Sequence, residues 1–380
     1  MNLSRRALLS ASALLLARPR TVAAQVSPAA PDIAIVPATD ARPEPLILCW
    51  NENPYGPSPA ARAVLSATAP LACRYPQSEI GLLLEALSKK EGVSVDHLAL
   101  GAGSGEILSC LGALVARKGG SLIAAEPTFM ELPEYARRAG VTISWVPVNA
   151  QKRHDLKAMR AAVGPTTRAV YVCNPNNPTG TAEPRAILRE FILSLPPDVT
   201  CIVDEAYLDF ADDPAVGSVA DLVGNSRRLV VLRTFSKLHG MAGVRCGYAI
   251  TRPDIVNDIA GVRMSTPNIF AMRAARASLG DLEFLADTRR RILASRRRIC
   301  GELDALGLAY AKSQGNFVFF DTHMPIVEFE QIMLARNIRV GRPFPPFDTW
   351  CRITVGRESE VDAFLAALRA VHAPALRKAV

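Results

Sequence analysis

Short apolar runs alternate with longer helix-like segments from about residue 63 to about residue 270. This alternation predicts an α/β fold in which helices cover a mostly parallel sheet. The runs predicted as strands are Leu98–Leu100, Ser121–Ala124, Thr142–Pro147, Ala169–Cys173, Thr200–Val203, Leu229–Leu232 and Tyr248–Ile250.

The pattern changes after about residue 270, where a long helical stretch runs through Leu306 and a smaller α+β segment follows. Strands are predicted there at Asn316–Phe320, Ile338–Val340 and Arg352–Val355, and a last helix at Glu360–Val371. We therefore predict a large domain over residues 63–270 and a small C-terminal domain over residues 271–380.

The first 24 residues have the pattern of an export signal. The pair Arg5-Arg6 precedes an apolar stretch from Ala7 to Ala17, and Val22-Ala23-Ala24 offers a small-residue cleavage site. Residues 1–24 are predicted to be a signal peptide of the twin-arginine type, with an ordinary Sec signal as the alternative. Residues 25–62 are predicted to form a linker and an N-terminal arm, and the mature protein is expected in the periplasm.

Charge and hydropathy exclude two classes of partner. Four of the eight excess positive charges belong to the signal, which leaves +4 on the mature chain, too little to indicate nucleic-acid binding. The arginines between Arg289 and Arg298 have the spacing of a solvated helix face. No run of 18 apolar residues follows the signal, so no membrane span is expected in the mature chain.

The eight cysteines are scattered singly, several of them within apolar runs. None has the spacing of a metal site or a redox pair, so we expect buried thiols and no metal.

Polar clusters follow three of the predicted strands directly. They are Asn174–Gly180, Asp204–Tyr207 and Thr234–Lys237. Ligands of open parallel α/β sheets bind where the strands end at their carboxyl termini. The three clusters are therefore predicted to meet at one edge of the sheet and to form a site.

These clusters read Asn-Pro-Asn-Asn-Pro-Thr-Gly, Asp-Glu-Ala-Tyr and Thr-Phe-Ser-Lys. Together they resemble the fold-type I aminotransferases that use pyridoxal 5′-phosphate (PLP), most closely the histidinol-phosphate aminotransferase branch. The resemblance covers about residues 46–370. It implies a large domain with a mostly parallel sheet and a smaller C-terminal α+β domain.

The resemblance also implies roles around the cofactor ring. Lys237 would form an imine with the PLP aldehyde, and Asp204 would pair with the pyridine nitrogen. Tyr207 and Asn177 would donate to the phenolate oxygen, and Phe129 would stack on the ring.

For the phosphate, the resemblance implies donors from two segments of the chain. Gly103, Ser104 and Gly105 form a glycine loop before an apolar helix, a common phosphate cradle. Ser236 and Arg245 would add a hydroxyl and a guanidinium. Tyr75 is similar to a tyrosine that reaches the phosphate of the neighbouring subunit, so a homodimer is implied.

Substrate recognition is expected from both ends of the chain. Arg352 matches an arginine that holds the substrate carboxylate, and Arg342 and Tyr55 match further substrate-binding positions. The implied activity is transamination between an amino acid, or a histidinol-phosphate-like amine, and a 2-oxo acid. Glutamate, aromatic and histidinol-phosphate-like donors stay open, because Ala102 and Gly105 replace polar residues usual in the family.

Two alternatives accompany this interpretation. One is a PLP-dependent decarboxylase or cyclase on the same fold. The other, from a different class, is a PLP-binding regulatory or scaffold protein without turnover.

Overall fold

Eleven strands form three sheets in the computed structural model, which describes residues 44–224 and 228–376. They are β1 (Leu46–Ile47), β2 (Leu98–Gly101), β3 (Ser121–Glu126), β4 (Thr142–Pro147), β5 (Thr167–Cys173), β6 (Thr200–Asp204), β7 (Leu229–Thr234), β8 (Gly247–Thr251), β9 (Phe317–Asp321), β10 (Ile338–Arg339) and β11 (Trp350–Thr354). The predicted signal peptide and residues 25–43 of the predicted linker and arm lie outside the described residues.

Seven of the strands form the main sheet in the order β2-β8-β7-β6-β5-β3-β4. All neighbours pair in parallel except β8, which runs antiparallel to β2 and β7. The predicted α/β class with a mostly parallel sheet is therefore confirmed. Each strand predicted from the sequence is present, with ends that shift by a few residues.

The helices are α1 (Pro59–Thr68), α2 (Gln77–Glu91), α3 (Ser104–Lys118), α4 (Glu131–Arg138), α5 (Leu156–Ala161), α6 (Arg185–Ser194), α7 (Pro253–Val262), α8 (Ile269–Leu279), α9 (Leu282–Ala305), α10 (Ile326–Leu334) and α11 (Glu358–Leu376). The long helical stretch predicted after residue 270 is two helices, because Gly280 and Asp281 interrupt it. No helix in the described ranges is long and apolar enough to cross a membrane.

The central strands are apolar almost throughout because helices cover both faces of the sheet. Along β5, Val170 and Val172 pack into one hydrophobic cluster, whereas Ala169 and Tyr171 pack into another on the opposite face. This double burial explains the continuous apolar runs that identify the strands. It also leaves the strand ends as the places where polar side chains can face a cavity.

A separate hydrophobic cluster lies around the C-terminal strands. Strand β9 pairs antiparallel with β11, and β1 of the N-terminal arm pairs in parallel with β10. Leu48 of the arm packs with Phe320 and Ile353 in this cluster. The arm thus joins the C-terminal part of the fold, whereas the predicted boundary near residue 270 stays a prediction.

Two surface expectations are wrong. Cys73 is exposed, whereas Cys49, Cys110, Cys173, Cys201, Cys246 and Cys351 are buried as expected. Arg296 is also buried, although the arginine cluster was expected to be a solvated helix face. It donates to the carbonyl oxygens of Phe210 and Gly315 and pairs with Asp212, so it ties α9 to neighbouring loops.

Candidate active site

A cavity of about 250 Å³ lies at the carboxyl ends of β5, β6 and β7. The three polar clusters that follow these strands all contribute to its wall. Their lining residues include Asn177, Asp204, Tyr207, Ser236 and Lys237. The structure therefore brings together groups that are distant in sequence, at the edge where parallel sheets bind ligands.

Lys237 presents its amine to this cavity. Its Nζ donates to the backbone carbonyl oxygens of Asn51 at 3.1 Å and Trp50 at 3.3 Å. Burial, and then the positive charge of Arg352, lower the pKa of Lys237 to about 8. A larger fraction of the amine is thus neutral near pH 7 than for an exposed lysine, which is the form that attacks an aldehyde.

Asp204 is the last residue of β6 and is almost completely buried. The Tyr171 hydroxyl donates to its Oδ2 at 3.1 Å, and the backbone N–H of Ala206 donates to its Oδ1 at 3.1 Å. Burial raises the pKa of the Asp204 carboxyl to about 6. A buried carboxylate of this kind is stabilised by a cationic partner within the cavity.

The Tyr207 hydroxyl accepts two hydrogen bonds from amide side chains. Asn51 donates its Nδ2 at 3.1 Å, and Asn177 donates its Nδ2 at 3.3 Å. With its oxygen occupied as an acceptor, the hydroxyl keeps its proton free to donate to a ligand oxygen. Burial raises the pKa of Tyr207 above its ordinary value, so the hydroxyl stays protonated at neutral pH.

A cationic cradle lies between β2 and the start of α3. Gly103 has φ +80°, and a Cβ there would lie 2.5 Å from Nη2 of Arg245. Arg245 itself has φ +65°, and its Nη1 lies 3.4 Å from the Oγ of Ser236. The positive φ of Arg245 directs its side chain toward Gly103, and the missing side chain at Gly103 leaves room for the guanidinium. The Arg245 guanidinium therefore lies beside the N–H groups of the first turn of α3.

Arg352 stands in the cavity wall on β11. Its Nη1 donates to Oδ1 of Asn177 and its Nη2 to the carbonyl oxygen of Cys49, both at 2.5 Å. Its Nε is buried and has no hydrogen-bond partner in the described part of the chain. The Phe344 ring lies 4.9 Å from the Arg352 guanidinium and 4.5 Å from that of Arg342. Two guanidiniums are thereby held on one aromatic ring at the cavity.

Some of the remaining predicted site residues line the cavity and others do not. Phe129, Ser104 and Gly105 line the cavity. Tyr55 does not line the cavity. Its ring lies 5.5 Å from the guanidinium of Arg291. Tyr75 is 91% exposed. The predicted roles of Tyr55 at the substrate and of Tyr75 at a partner's phosphate stay predictions.

The sequence assigns no role to several residues at or beside the cavity. Trp50 and Asn51 line it from the predicted N-terminal arm, and Glu131 lines it from the start of α4. Tyr171 does not line the cavity but contacts Asp204 from within a buried strand, where its apolar neighbours indicate only core packing. The φ of +55° at Asn51 gives no sequence signal beyond the tolerance of asparagine for that conformation.

These groups fit PLP. A buried acid suits the pyridine nitrogen, a proton-donating tyrosine suits the phenolate oxygen, and Arg245 with the first turn of α3 suits the phosphate. The fit of Gly103 against Arg245 supports this, because a side chain there would push the guanidinium out of the cradle. When bound, PLP supplies the electron sink that makes the substrate α-carbon acidic.

With PLP in place, the chain's own residues would handle the protons. Asp204 would keep a proton on the pyridine nitrogen, and Tyr207 would donate to the phenolate oxygen. The Lys237 amine would take the proton from the substrate α-carbon as a base and then serve as the acid that returns it. Arg352 would hold the substrate carboxylate and so orient the α-carbon toward Lys237.

The model of the family "Aminotransferase class I and II" matches residues 43–368. The chain belongs to this family. A histidinol-phosphate aminotransferase of Moorella thermoacetica is 36% identical over 85% of this chain and 84% of its own length. An aromatic amino acid aminotransferase of Mycobacteroides abscessus is also 36% identical, over 90% of this chain and 98% of its own length.

Solved structures agree with the family assignment. The histidinol-phosphate aminotransferase of Sinorhizobium meliloti, solved in complex with PLP, has a TM-score of 0.80 and 27% identity over 88% of this chain and 92% of its own. The fold is therefore that of the fold-type I enzymes, and the chain is an aminotransferase that uses PLP. The decarboxylase and cyclase alternatives are not favoured.

Proposed function

We propose that this aminotransferase moves the amino group of a donor with a ring-shaped side chain to a 2-oxo acid. Aromatic amino acids and histidinol-phosphate-like amines are both donors of this kind, and glutamate is the alternative. Relatives named for each of the two ring-bearing substrate classes are equally similar to the chain, at 36% identity. The residues of the cavity therefore have to decide the preference.

The observation that carries the proposal is the arrangement of Lys237, Arg352 and Phe344 in one cavity. The Lys237 amine would serve the reacting α-carbon, and the Arg352 guanidinium would bind the substrate carboxylate. Phe344 lines the same cavity with its ring against the Arg342 and Arg352 guanidiniums, and Trp50 adds a flat apolar face. Aromatic side chains of this kind favour packing with a substrate ring. A small acidic side chain such as that of glutamate would gain little from these faces.

The test is a donor screen with 2-oxoglutarate as the acceptor. We expect kcat/KM for phenylalanine, tyrosine or histidinol phosphate to exceed that for alanine by about a hundredfold, since burial of a side chain such as that of phenylalanine contributes about 1.5–3 kcal/mol. Phe344→Leu should reduce this preference, whereas Phe347→Leu serves as the matched control because Phe347 does not line the cavity. Equal rates for all donors would contradict the proposal.

We further propose that the enzyme is a homodimer in which the partner subunit's Tyr75 completes each phosphate site. The 91% exposure of Tyr75 supports this, because a tyrosine so exposed is available to a second chain. Leu71, Leu82 and Met264, around α2 and before α8, are exposed apolar side chains as well. Sedimentation equilibrium should give twice the chain mass.

A mixed dimer tests the role of Tyr75 itself. Tyr75→Ala is expected to weaken PLP binding, and Lys237→Ala to abolish turnover. A dimer with one chain of each kind contains one intact site only if the tyrosine acts across the interface. It should recover about half of the wild-type activity. No recovery beyond that of the Tyr75→Ala dimer would show that the tyrosine does not act in trans.

We also propose that the protein is exported to the periplasm through the twin-arginine route. The Arg5-Arg6 pair before an apolar stretch supports this, and export after folding would allow PLP to load in the cytoplasm. Replacement of both arginines by lysine should retain the protein in the cytoplasm. The same replacement would leave export unchanged if an ordinary Sec signal operates, because that route needs only positive charge.

A further inference from the structure

The carboxyl group of Glu131 lies over the first turn of α3. A Cβ at Gly105 would be 2.4 Å from Oε1 of Glu131, so the carboxyl occupies the space that a side chain at 105 would fill. Two residues earlier, Gly103 makes room in the same way for the Arg245 guanidinium. The Glu131 carboxyl and the Arg245 guanidinium therefore both lie against the short backbone segment from Gly103 to Gly105.

Glu131 also lines the cavity without a stabilising contact. Within the residues that the structure describes, no hydrogen bond or ion pair holds its carboxyl. Glu134, on the next turn of α4, contrasts with it, since it is paired with Arg137 and Arg138. An acid that faces an anion cradle without a partner needs a specific reason.

The charged groups around Glu131 define its electrostatic setting. Arg245 favours the ionised carboxyl, while Asp204 across the cavity opposes it. Lys237, Arg342 and Arg352 are the other cations among the described residues that line the cavity. On α3, the Glu106 carboxylate is engaged by the backbone N–H of Ala102. Burial has the largest effect and raises the pKa of Glu131. A phosphate dianion in the cradle would oppose its ionisation further.

We propose that Glu131 binds the cofactor phosphate as a neutral carboxylic acid, so that loading of PLP takes up a proton at this side chain. The inference rests on the PLP phosphate lying in the loop of Gly103 to Gly105. Solvent supplies the proton: an O–H bond of hydronium or of the buffer acid breaks, and an O–H bond forms on the Glu131 carboxylate. That O–H then donates to a phosphate oxygen, and no bond between heavy atoms changes. Arg245 and the N–H groups of α3 attract the phosphate, and Glu131 makes that attraction dependent on pH.

The test compares wild-type protein and Glu131→Gln, both freed of cofactor and then titrated with PLP. Glutamine keeps a donor of similar shape but does not ionise. The ratio of the wild-type Kd to the variant Kd should rise by about a hundredfold between pH 6 and pH 8, since the uptake of one proton changes this ratio about tenfold per pH unit. Calorimetry in buffers of different ionisation enthalpy should show that the wild type takes up about one proton more than the variant.

Three controls make the outcome decisive. Glu134→Gln should match the wild type, and Glu131→Ala should bind PLP more weakly than Glu131→Gln at pH 6 because alanine cannot donate. Pyridoxal, which lacks the phosphate, should show no difference between wild type and Glu131→Gln. The proposal would be overturned if the Kd for PLP had the same pH dependence in the wild type and in Glu131→Gln. It would also be overturned if the two proteins differed as much with pyridoxal as with PLP.

A separate control tests the position of the phosphate itself. If Gly103→Ala leaves the Kd for PLP unchanged, the phosphate does not occupy this loop, and the failure lies in the placement of the cofactor. If Gly103→Ala weakens PLP while Glu131→Gln changes nothing, the role of Glu131 alone is wrong.

Discussion

The hydroxyl of Tyr171 donates a hydrogen bond of 3.1 Å to Oδ2 of Asp204. Tyr171 belongs to β5 and Asp204 ends the neighbouring strand β6, and both are buried. With the Ala206 N–H on the other oxygen, each carboxylate oxygen has one protein donor. The carboxyl is thus fixed in orientation before a cofactor arrives, and one lone pair of each oxygen remains for a partner.

Tyr171→Phe should weaken PLP binding by about tenfold, because a hydrogen bond to a charged group is removed inside a buried site. Equilibrium titration of the cofactor-free protein measures this Kd. Tyr248→Phe is a matched control, since Tyr248 is an equally buried tyrosine that donates to Glu91 instead. An equal loss in both variants would show that the effect comes from core damage.

Asp204→Asn should make the cofactor-free protein more stable at pH 7.5. The folded-state pKa of Asp204 is raised to about 6 from 3.8, so its ionised form is disfavoured in the folded state. Stability is therefore lost as the pH rises from about 4 to about 6, by about 3 kcal/mol. Thermal unfolding of both proteins at pH 7.5 should show a higher Tm for the variant.

The difference in Tm between the wild type and Asp204→Asn should disappear at acidic pH. Below about pH 4 the aspartate is protonated in both the folded and the unfolded chain, and the Tm advantage of asparagine should disappear. An advantage that stayed constant with pH would contradict the assignment of the destabilisation to the Asp204 charge. With PLP present, the variant should bind the cofactor more weakly than the wild type.

Gly103→Ala should weaken PLP binding by about tenfold or more, because the new methyl group displaces the Arg245 guanidinium and its charge-assisted bonds. Gly119→Ala is the control. Gly119 also has a positive φ, of +62°, but open space surrounds its Cβ position. Both variants should lose about 1–3 kcal/mol of stability, because both glycines have a positive φ with an extended ψ, and only Gly103→Ala should lose cofactor affinity.

Lys237→Ala should abolish both turnover and the visible absorption of bound PLP, since the amine that joins the cofactor is gone. Absorbance and activity of the purified protein measure the two effects. Lys89→Ala, on the exposed face of α2, should change neither. A Lys237→Ala protein that retained both properties would refute the proposed chemistry.

The site residues that the sequence predicts most successfully are those at or just after the ends of strands. Asp204 ends a strand that is buried on both faces, and Asn177 and Lys237 lie a few residues after two further strands of this kind, so the periodicity locates all three at one edge. The chain order of these motifs is enough to place them in a common site. No knowledge of side-chain packing is needed.

The sequence fails where a contact joins remote segments. Nothing around Asn51 indicates that it donates to Tyr207, 156 residues away. The sequence around Glu131 also gives no sign of its role, since its position over Gly105 depends on how α3 and α4 pack together. Local periodicity determines which face of an element is buried, but it does not determine which elements meet.

The hydrogen bond from the Asn51 N–H to the Thr354 Oγ1 spans 303 residues. Domains fold during synthesis from the N-terminus onward, so the arm has to wait for β11 to leave the ribosome before this contact can form. Asn51 in turn holds Tyr207 and Lys237 in place. We therefore expect a nascent chain that lacks β11 to be inactive, and activity to be acquired only when translation is nearly complete.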